Sequence, residues 1–366
     1  MPPTDLTFLE RAFSLAEKGR YSVSPNPMVG AVVVRDGRVV GEGHHRRAGE
    51  PHAEILALRE AGKRAHGADL YLTLEPCAHQ GRTPPCAPAL IAAGLRRVVV
   101  ASSDPNPLVA GRGIAALRRA GVEVIRAPRS WREREAAQNA KFRTWIASGR
   151  PLVLAKWAST LDGRIASAAG KSRWLTGERA RRRALALREE YDAVLVGAGT
   201  VIADDPRLTR RLGWNRAAPH WRIVLDGRLR TPEDARVFRG PGRALVVTAV
   251  SARHPKARRL ASRGVVVWSL PSRTRGRVDL RRLLRELARR DVASLIVEGG
   301  GETLGSFFSA GLVDRVAVFL APRILGGARA PAAVGGLGFA LGRTPRLDQI
   351  RIGTVGDDLL VTGRVT

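Results

Sequence analysis

EPHAEILALREAGKRAHGADLYLTLEPCAHQGRTPPC, residues 50–86, holds both cysteines of a 366-residue chain, Cys77 and Cys86, behind a His-Ala-Glu at 52–54. Two thiolates and an imidazole are strong zinc ligands, and three protein ligands leave the fourth tetrahedral position for water. His52 at the start of a predicted helix puts Glu54 two residues along in the same first turn. From there its carboxylate reaches a metal-activated water without ligating the metal, and can pass the proton to a leaving amine.

H-x-E followed by Pro-Cys is the signature of zinc-dependent base deaminases. Pro76-Cys77 ends a predicted strand, ADLYLTLEP (68–76), and sites of α/β proteins gather at the C-terminal ends of strands. One departure stands out. Eight residues, AHQGRTPP, separate the cysteines where that signature has two. Two other readings remain open at this point: a pair of inert buried thiols, and His79 replacing one cysteine as ligand.

Working outward, residues 4–19 read as an amphipathic helix, with apolar residues at 6, 9, 13 and 16 and Gly19 after it. AVVVRDGRVVGEG reads as a hairpin turning at Asp36-Gly37. Helices are expected at 52–61, 87–93 and 113–120, and strands at 96–102 and 122–125. Alternating strands and helices imply a largely parallel, covered sheet, and a first domain over residues 1–127. Residues 128–149, with Trp131, Phe142 and Trp145, read as a connecting helix. A second domain over 150–366 opens on the strand PLVLAKWAS. It continues with strands near 193–197, 221–226, 244–248, 264–268, 293–298 and 314–320, and helices near 178–190, 279–290 and 302–310. Gly335 to Gly342 reads as a surface loop.

Composition narrows the partners. Two cysteines exclude a disulfide framework, and no apolar run approaches the ~20 residues that span a bilayer. The amino terminus has no signal-peptide pattern, so a soluble, cytoplasmic protein with no membrane partner is expected. The formal charge of +29 raises the question of nucleic acid. Six of the 62 basic residues are lysines and the rest arginines, spread along the chain without interleaved aromatics. That distribution fits solvated faces and phosphorylated small molecules better than a nucleic-acid footprint, so no nucleic-acid partner is expected.

The motifs NPMVGAVVV, PHAE and EPCAHQGRTPPC resemble the deaminase half of the RibD family of bifunctional riboflavin-biosynthesis enzymes. KWASTLDGRIASAAGKSRWLTG, VLVGAGTVIADDPRLTRR and LIVEGGGETLGSF resemble its reductase half, in the same order. The resemblance implies a cytidine-deaminase-like domain followed by a dihydrofolate-reductase-like domain. The deaminase would hydrolyse the ring amine of 2,5-diamino-6-ribosylamino-4(3H)-pyrimidinone 5′-phosphate, with one zinc per chain on His52, Cys77 and Cys86 and Glu54 as proton shuttle. Asn26, His45 and His79 become candidate substrate contacts. The reductase would reduce the ribosyl group with NADPH. Ala158, Trp174, Thr200, Asp204, Gly300, Gly301, Glu302, Thr303, Leu304, Gly305 and Ser306 fall on cofactor positions. Ser172, Arg188, Leu208, Arg211 and Glu298 fall on substrate positions, with Asp204 the nominee for proton donor. A homo-oligomer, dimer or tetramer, is also expected.

The glycines of the second half fit this reading, although tight strand-to-helix turns also use glycine for geometry only. Gly299, Gly300 and Gly301, between a buried strand and a helix start, let backbone N–H groups close on a phosphate where the helix dipole favours anions. VGAGTVIA lacks the third glycine of a dinucleotide fingerprint, since Ile202 stands there, and this excludes a Rossmann domain. The competing reading is a nucleic-acid base deaminase with an accessory domain. A binding module without activity would have lost Glu54, and a deaminase with a decayed reductase half would have lost the later motifs.

Overall fold

The computed structural model describes residues 3–81, 83–214 and 220–366. It divides into two units, Met1–Gly149 and Arg150–Thr366. In the first, α1 (Pro3–Glu17) precedes β1 (Gly30–Arg35) and β2 (Arg38–His44). Asp36 and Gly37 turn the hairpin with φ of 51° and 73°, the left-handed pair a two-residue turn needs. There follow α2 (Ala53–Ala61), β3 (Asp69–Leu72), α3 (Cys86–Ala92), β4 (Arg97–Val100), α4 (Arg112–Arg119), β5 (Glu123–Arg126), α5 (Arg129–Gln138) and α6 (Ala140–Ser148).

The strand order is β2-β1-β3-β4-β5. Only β3, β4 and β5 pair in parallel; β1 is antiparallel to both neighbours. The sheet is therefore mixed, not largely parallel as expected. The α2 crossover carries the chain from β2 to β3 on opposite sides of β1, which leaves β1 running against both. Alternate side chains feed two cores. Val32, Val34, Tyr71 and Val99 meet Ala12 and Leu15 of α1, while Ala31, Val33, Leu70 and Val98 meet Ala57 of α2, Leu90 of α3 and Leu117 of α4. A Cβ on Gly43 would stand 2.1 Å from the Ala53 carbonyl oxygen, so glycine there is what lets the first turn of α2 lie on β2. That contact fixes where His52 and Glu54 emerge. Residues 128–149 form two helices broken at Asn139, and Phe142 joins the unit's core.

The second unit runs β6 (Leu152–Thr160), α7 (Glu178–Glu190), β7 (Ala193–Gly197), α8 (Ala198–Asp204), β8 (Trp221–Leu225), β9 (Arg243–Thr248), α9 (Pro255–Ser262), β10 (Val266–Ser269), α10 (Leu280–Ala288), β11 (Ser294–Val297), α11 (Gly301–Ser309), β12 (Arg315–Ala321), β13 (Leu347–Val355) and β14 (Asp358–Val365). Its nine strands order as β10-β9-β8-β7-β11-β6-β12-β14-β13. The first seven are parallel and the last two antiparallel. Parallel strands bring the ends of β6, β7 and β11 together on one side of the sheet, and the second site assembles there. Among the described residues no helix is long and apolar enough to cross a membrane.

Two candidate active sites

In the first unit the chain brings His52, Cys77 and Cys86 together, with their ligand atoms within 4.8 Å of one another. His52 is the N-cap residue of α2 and Cys86 opens α3; Cys77 lies in the loop after β3, which ends at Leu72 rather than running to Pro76 as expected. Nδ1 of His52 lies 3.2 Å from Cys86 Sγ and 3.6 Å from Cys77 Sγ. A tetrahedral zinc with bonds of about 2.1 Å to nitrogen and 2.3 Å to sulfur separates such atoms by about 3.5 Å. The donor set fits zinc in kind and in spacing. Nε2 of His52 is 3.1 Å from the Thr83 hydroxyl, a contact that turns Nδ1 toward the sulfurs. Hydrogen bonds from the Cys86 thiol and from His52 push the Cys77 thiol down to about 4, which favours thiolate. The backbone N–H of Cys86 also donates to Cys77 Sγ, at 3.3 Å.

Glu54 is buried in the first turn of α2, and that burial raises its carboxyl above the ordinary range. It lines a cavity of about 200 Å³ with His52, Cys77, Asn26, His45 and His79. The Asn26 amide nitrogen is 3.0 Å from His45 Nε2, and His45 Nδ1 is 3.4 Å from the Pro51 carbonyl. Burial first, then the neighbouring His52, lowers His45 to about 4, so the ring is neutral. A neutral ring donating from Nδ1 accepts at Nε2. The Asn26 amide is thus oriented, with its Oδ1 free to accept from a ligand. Among the described residues His79 Nδ1 is buried without a hydrogen-bond partner.

Two acidic residues of this cavity escaped the sequence reading, Glu75 and Asp104. The buried Glu75 carboxylate accepts backbone N–H groups of Asp104, Gly111, Gly113 and Ile114 at 3.0 to 3.3 Å. It thereby ties the turn before Cys77 to the loop after β4. Burial pushes the Asp104 carboxyl up to about 6, against a hydrogen bond from the Asn106 N–H. The sequence held a signal for Asp104: SSDPNP (102–107) is a turn-rich stretch just past a parallel strand.

The second unit opens a cleft of about 2280 Å³. Ala158, Ser172, Trp174, Arg188, Thr200, Asp204, Leu208, Arg211 and Glu298 all line it, as do Gly300, Gly301, Glu302, Thr303, Gly305 and Ser306. Leu304 does not; its side chain is wholly buried in the core. The Gly300 N–H donates to the Thr200 hydroxyl at 3.0 Å, joining the ends of β7 and β11. A Cβ added at Gly300 would meet only that hydroxyl, at 3.4 Å, so the backbone at the start of α11 stands open to the cleft. An anionic cofactor fits such a helix start. Ser172 Oγ is 3.4 Å from Asp204 Oδ1, and Arg173 donates to the Asp204 carbonyl at 2.7 Å. Arg188 forks onto Glu298 at 3.1 and 3.0 Å, and Lys156 stands 3.6 Å from the same carboxylate. Two residues expected at the substrate are therefore ion-paired with each other.

Comparisons with known proteins agree along the chain. Residues 2–102 match the family described as cytidine and deoxycytidylate deaminase zinc-binding region, and residues 151–361 match the RibD C-terminal domain. The riboflavin biosynthesis protein RibD of Aquifex aeolicus is 42% identical over 358 residues, covering 98% of this chain and 97% of that one. The RibD protein of Escherichia coli is 42% identical over 336 residues, 88% of this chain and 89% of that one. Among solved structures, Acinetobacter baumannii RibD superposes with a TM-score of 0.89 at 36% identity, over 99% of both chains. A Thermotoga maritima diaminohydroxyphosphoribosylaminopyrimidine deaminase/5-amino-6-(5-phosphoribosylamino)uracil reductase does so with 0.86 at 36%, again over 99% of both.

Proposed function

The chain belongs to the RibD family of bifunctional riboflavin-biosynthesis enzymes, and we propose that its two units act in turn on one phosphorylated pyrimidine. The first releases the ring amine of 2,5-diamino-6-ribosylamino-4(3H)-pyrimidinone 5′-phosphate as ammonia. The second reduces the ribosyl side chain with NADPH to give 5-amino-6-ribitylaminouracil 5′-phosphate. The observation that carries the reading is the grouping of His52, Cys77 and Cys86 with Glu54 at the same small cavity.

His52 Nδ1 and the two sulfurs hold one zinc, which when bound supplies the Lewis acidity that makes water nucleophilic near neutral pH. The Glu54 carboxylate takes the proton of the attacking water and delivers it to the departing amine. A raised carboxyl suits that second role. Asn26 Oδ1 and His79 Nδ1 hold the pyrimidine edge, with His45 keeping Asn26 in orientation.

In the second unit the backbone from Gly300 to Ser306 receives the phosphates of NADPH, and Ala158, Trp174 and Thr200 meet the rest of the cofactor. Ser172, Leu208 and Arg211 face the pyrimidine phosphate, and the Arg188–Glu298 pair shapes that wall. Holding the nicotinamide against C1′ of the sugar is most of the catalytic task. Asp204 supplies the proton to the sugar. Asp204→Asn is expected to lower NADPH oxidation at least tenfold on the deaminated intermediate, with ammonia release unchanged. Equal loss of both activities would point to misfolding instead.

Free Cys77 and Cys86 suit a reducing cytoplasm. Ile350 and Ile352, 54% and 69% exposed on edge strand β13, support a homo-oligomer. The reading is tested by elemental analysis, which should find one zinc per chain. Titration with NADPH should also change the emission of Trp174, which is exposed in the cleft. No zinc, or no fluorescence response, would count against the corresponding half.

A further inference from the structure

The deaminase family match ends at residue 102, yet the cavity does not: Trp145 of α6 lines it beside Asn26 and Asp104. We infer that α5 and α6 complete the deaminase site, because Glu135, Asn139 and Arg143 latch the two loops that carry Asn26 and Asp104.

The Asn139 side chain pairs with Met28 as a neighbouring strand would. Its Oδ1 accepts the Met28 N–H at 2.8 Å, and its Nδ2 donates to the Met28 carbonyl at 3.0 Å. Asn26 is two residues upstream. Arg143 holds the other loop, donating to the Ser102 hydroxyl at 2.6 Å and the Ser103 carbonyl at 3.1 Å, one residue before Asp104. Glu135 joins the two latches. It has no exposed surface, accepts from Asn139 Nδ2 at 2.9 Å and from Arg143 Nε at 2.8 Å, and is also bonded by the Arg143 terminal nitrogen. A buried carboxylate shared by an amide and a guanidinium fixes both side chains in single orientations. A network that served only to dock the helices would have no reason to end on both cavity loops. Asn139, Glu135 and Arg143 are accordingly positioning residues, acting on the pyrimidine through Asn26 and Asp104. The inference rests on the deaminase reading of this cavity.

The test uses the full chain carrying Asn139→Ala, with Arg143→Lys as a second variant that keeps the positive charge beside Glu135. Ammonia release from the diaminopyrimidinone phosphate is followed across substrate concentrations. Zinc content and NADPH oxidation on the deaminated intermediate are measured alongside. The expected result is a KM raised about tenfold, with kcat, zinc stoichiometry and reductase activity near those of the parent protein. The Arg143→Lys change should be smaller, since one ammonium cannot span Glu135 and both acceptors of the Ser102–Ser103 segment. An unchanged KM would overturn the inference. So would loss of zinc in step with activity, or failure of both variants to fold, because the network would then be structural only. A parent protein that releases no ammonia refutes the deaminase reading itself, which is a separate outcome.

Discussion

Glu54→Gln should lower ammonia release at saturating substrate by about a thousandfold or more, the scale on which a positioned acid–base contributes. Gln keeps the volume of the side chain in its buried place at the start of α2, so the fold and the three ligands should persist. Zinc content should therefore stay at one per chain. Reduction of the deaminated intermediate, carried out by the other unit, should run at the parent rate. A variant that kept more than a tenth of the deaminase activity would remove Glu54 from the proton path.

The second large effect is on stability. Glu298 is buried between Arg188 and Lys156, with side-chain exposures of 10%, 11% and 15%. Burial by itself would raise the Glu298 carboxyl, but the two cations outweigh it and hold it at about 2. Glu298→Gln leaves the two cations facing each other without their anion, a change that costs about 3–5 kcal/mol when one partner of a buried pair is removed. The second unit should then unfold at least ~6 °C lower in calorimetry. The pH dependence has a definite sign. A depressed carboxyl stabilises fully above its unfolded value of about 4.3 and loses that contribution as pH falls toward 2. The parent should thus lose stability over that window more steeply than Glu298→Gln. Equal melting of the two proteins at pH 7 would show that the pair holds nothing together.

The parts legible in the sequence are those with a strong local cause. Asp36-Gly37 announced its hairpin because few other dipeptides accept two left-handed residues. The grouping of His52, Cys77 and Cys86 was legible because the chain has so few thiols to place. Strand β13 was not foreseen: its register shifts between Asp348 and Arg351, which breaks the period-two pattern, and most of its residues face solvent. The antiparallel pairing of β1 escaped because strand direction depends on where α2 carries the chain, which no local pattern encodes. Glu75 and the Glu135–Asn139–Arg143 network stayed hidden for a related reason. Each polar side chain there bonds to groups up to 111 positions away, a distance over which sequence carries no periodicity. At the second site the glycine turn was legible as a strand-to-helix turn, whereas the pairing of Arg188 with Glu298 across 110 positions appears only once β11 and α7 are folded together.

The most direct test supplies the purified chain with the diaminopyrimidinone phosphate and follows ammonia and the nicotinamide absorbance together, with and without NADPH. One zinc site and one reductase cleft acting in order predict ammonia in both reactions, and absorbance loss that lags behind ammonia release and reaches one NADPH per ammonia. Absorbance loss without ammonia, or ammonia that appears only when NADPH is present, would contradict that order.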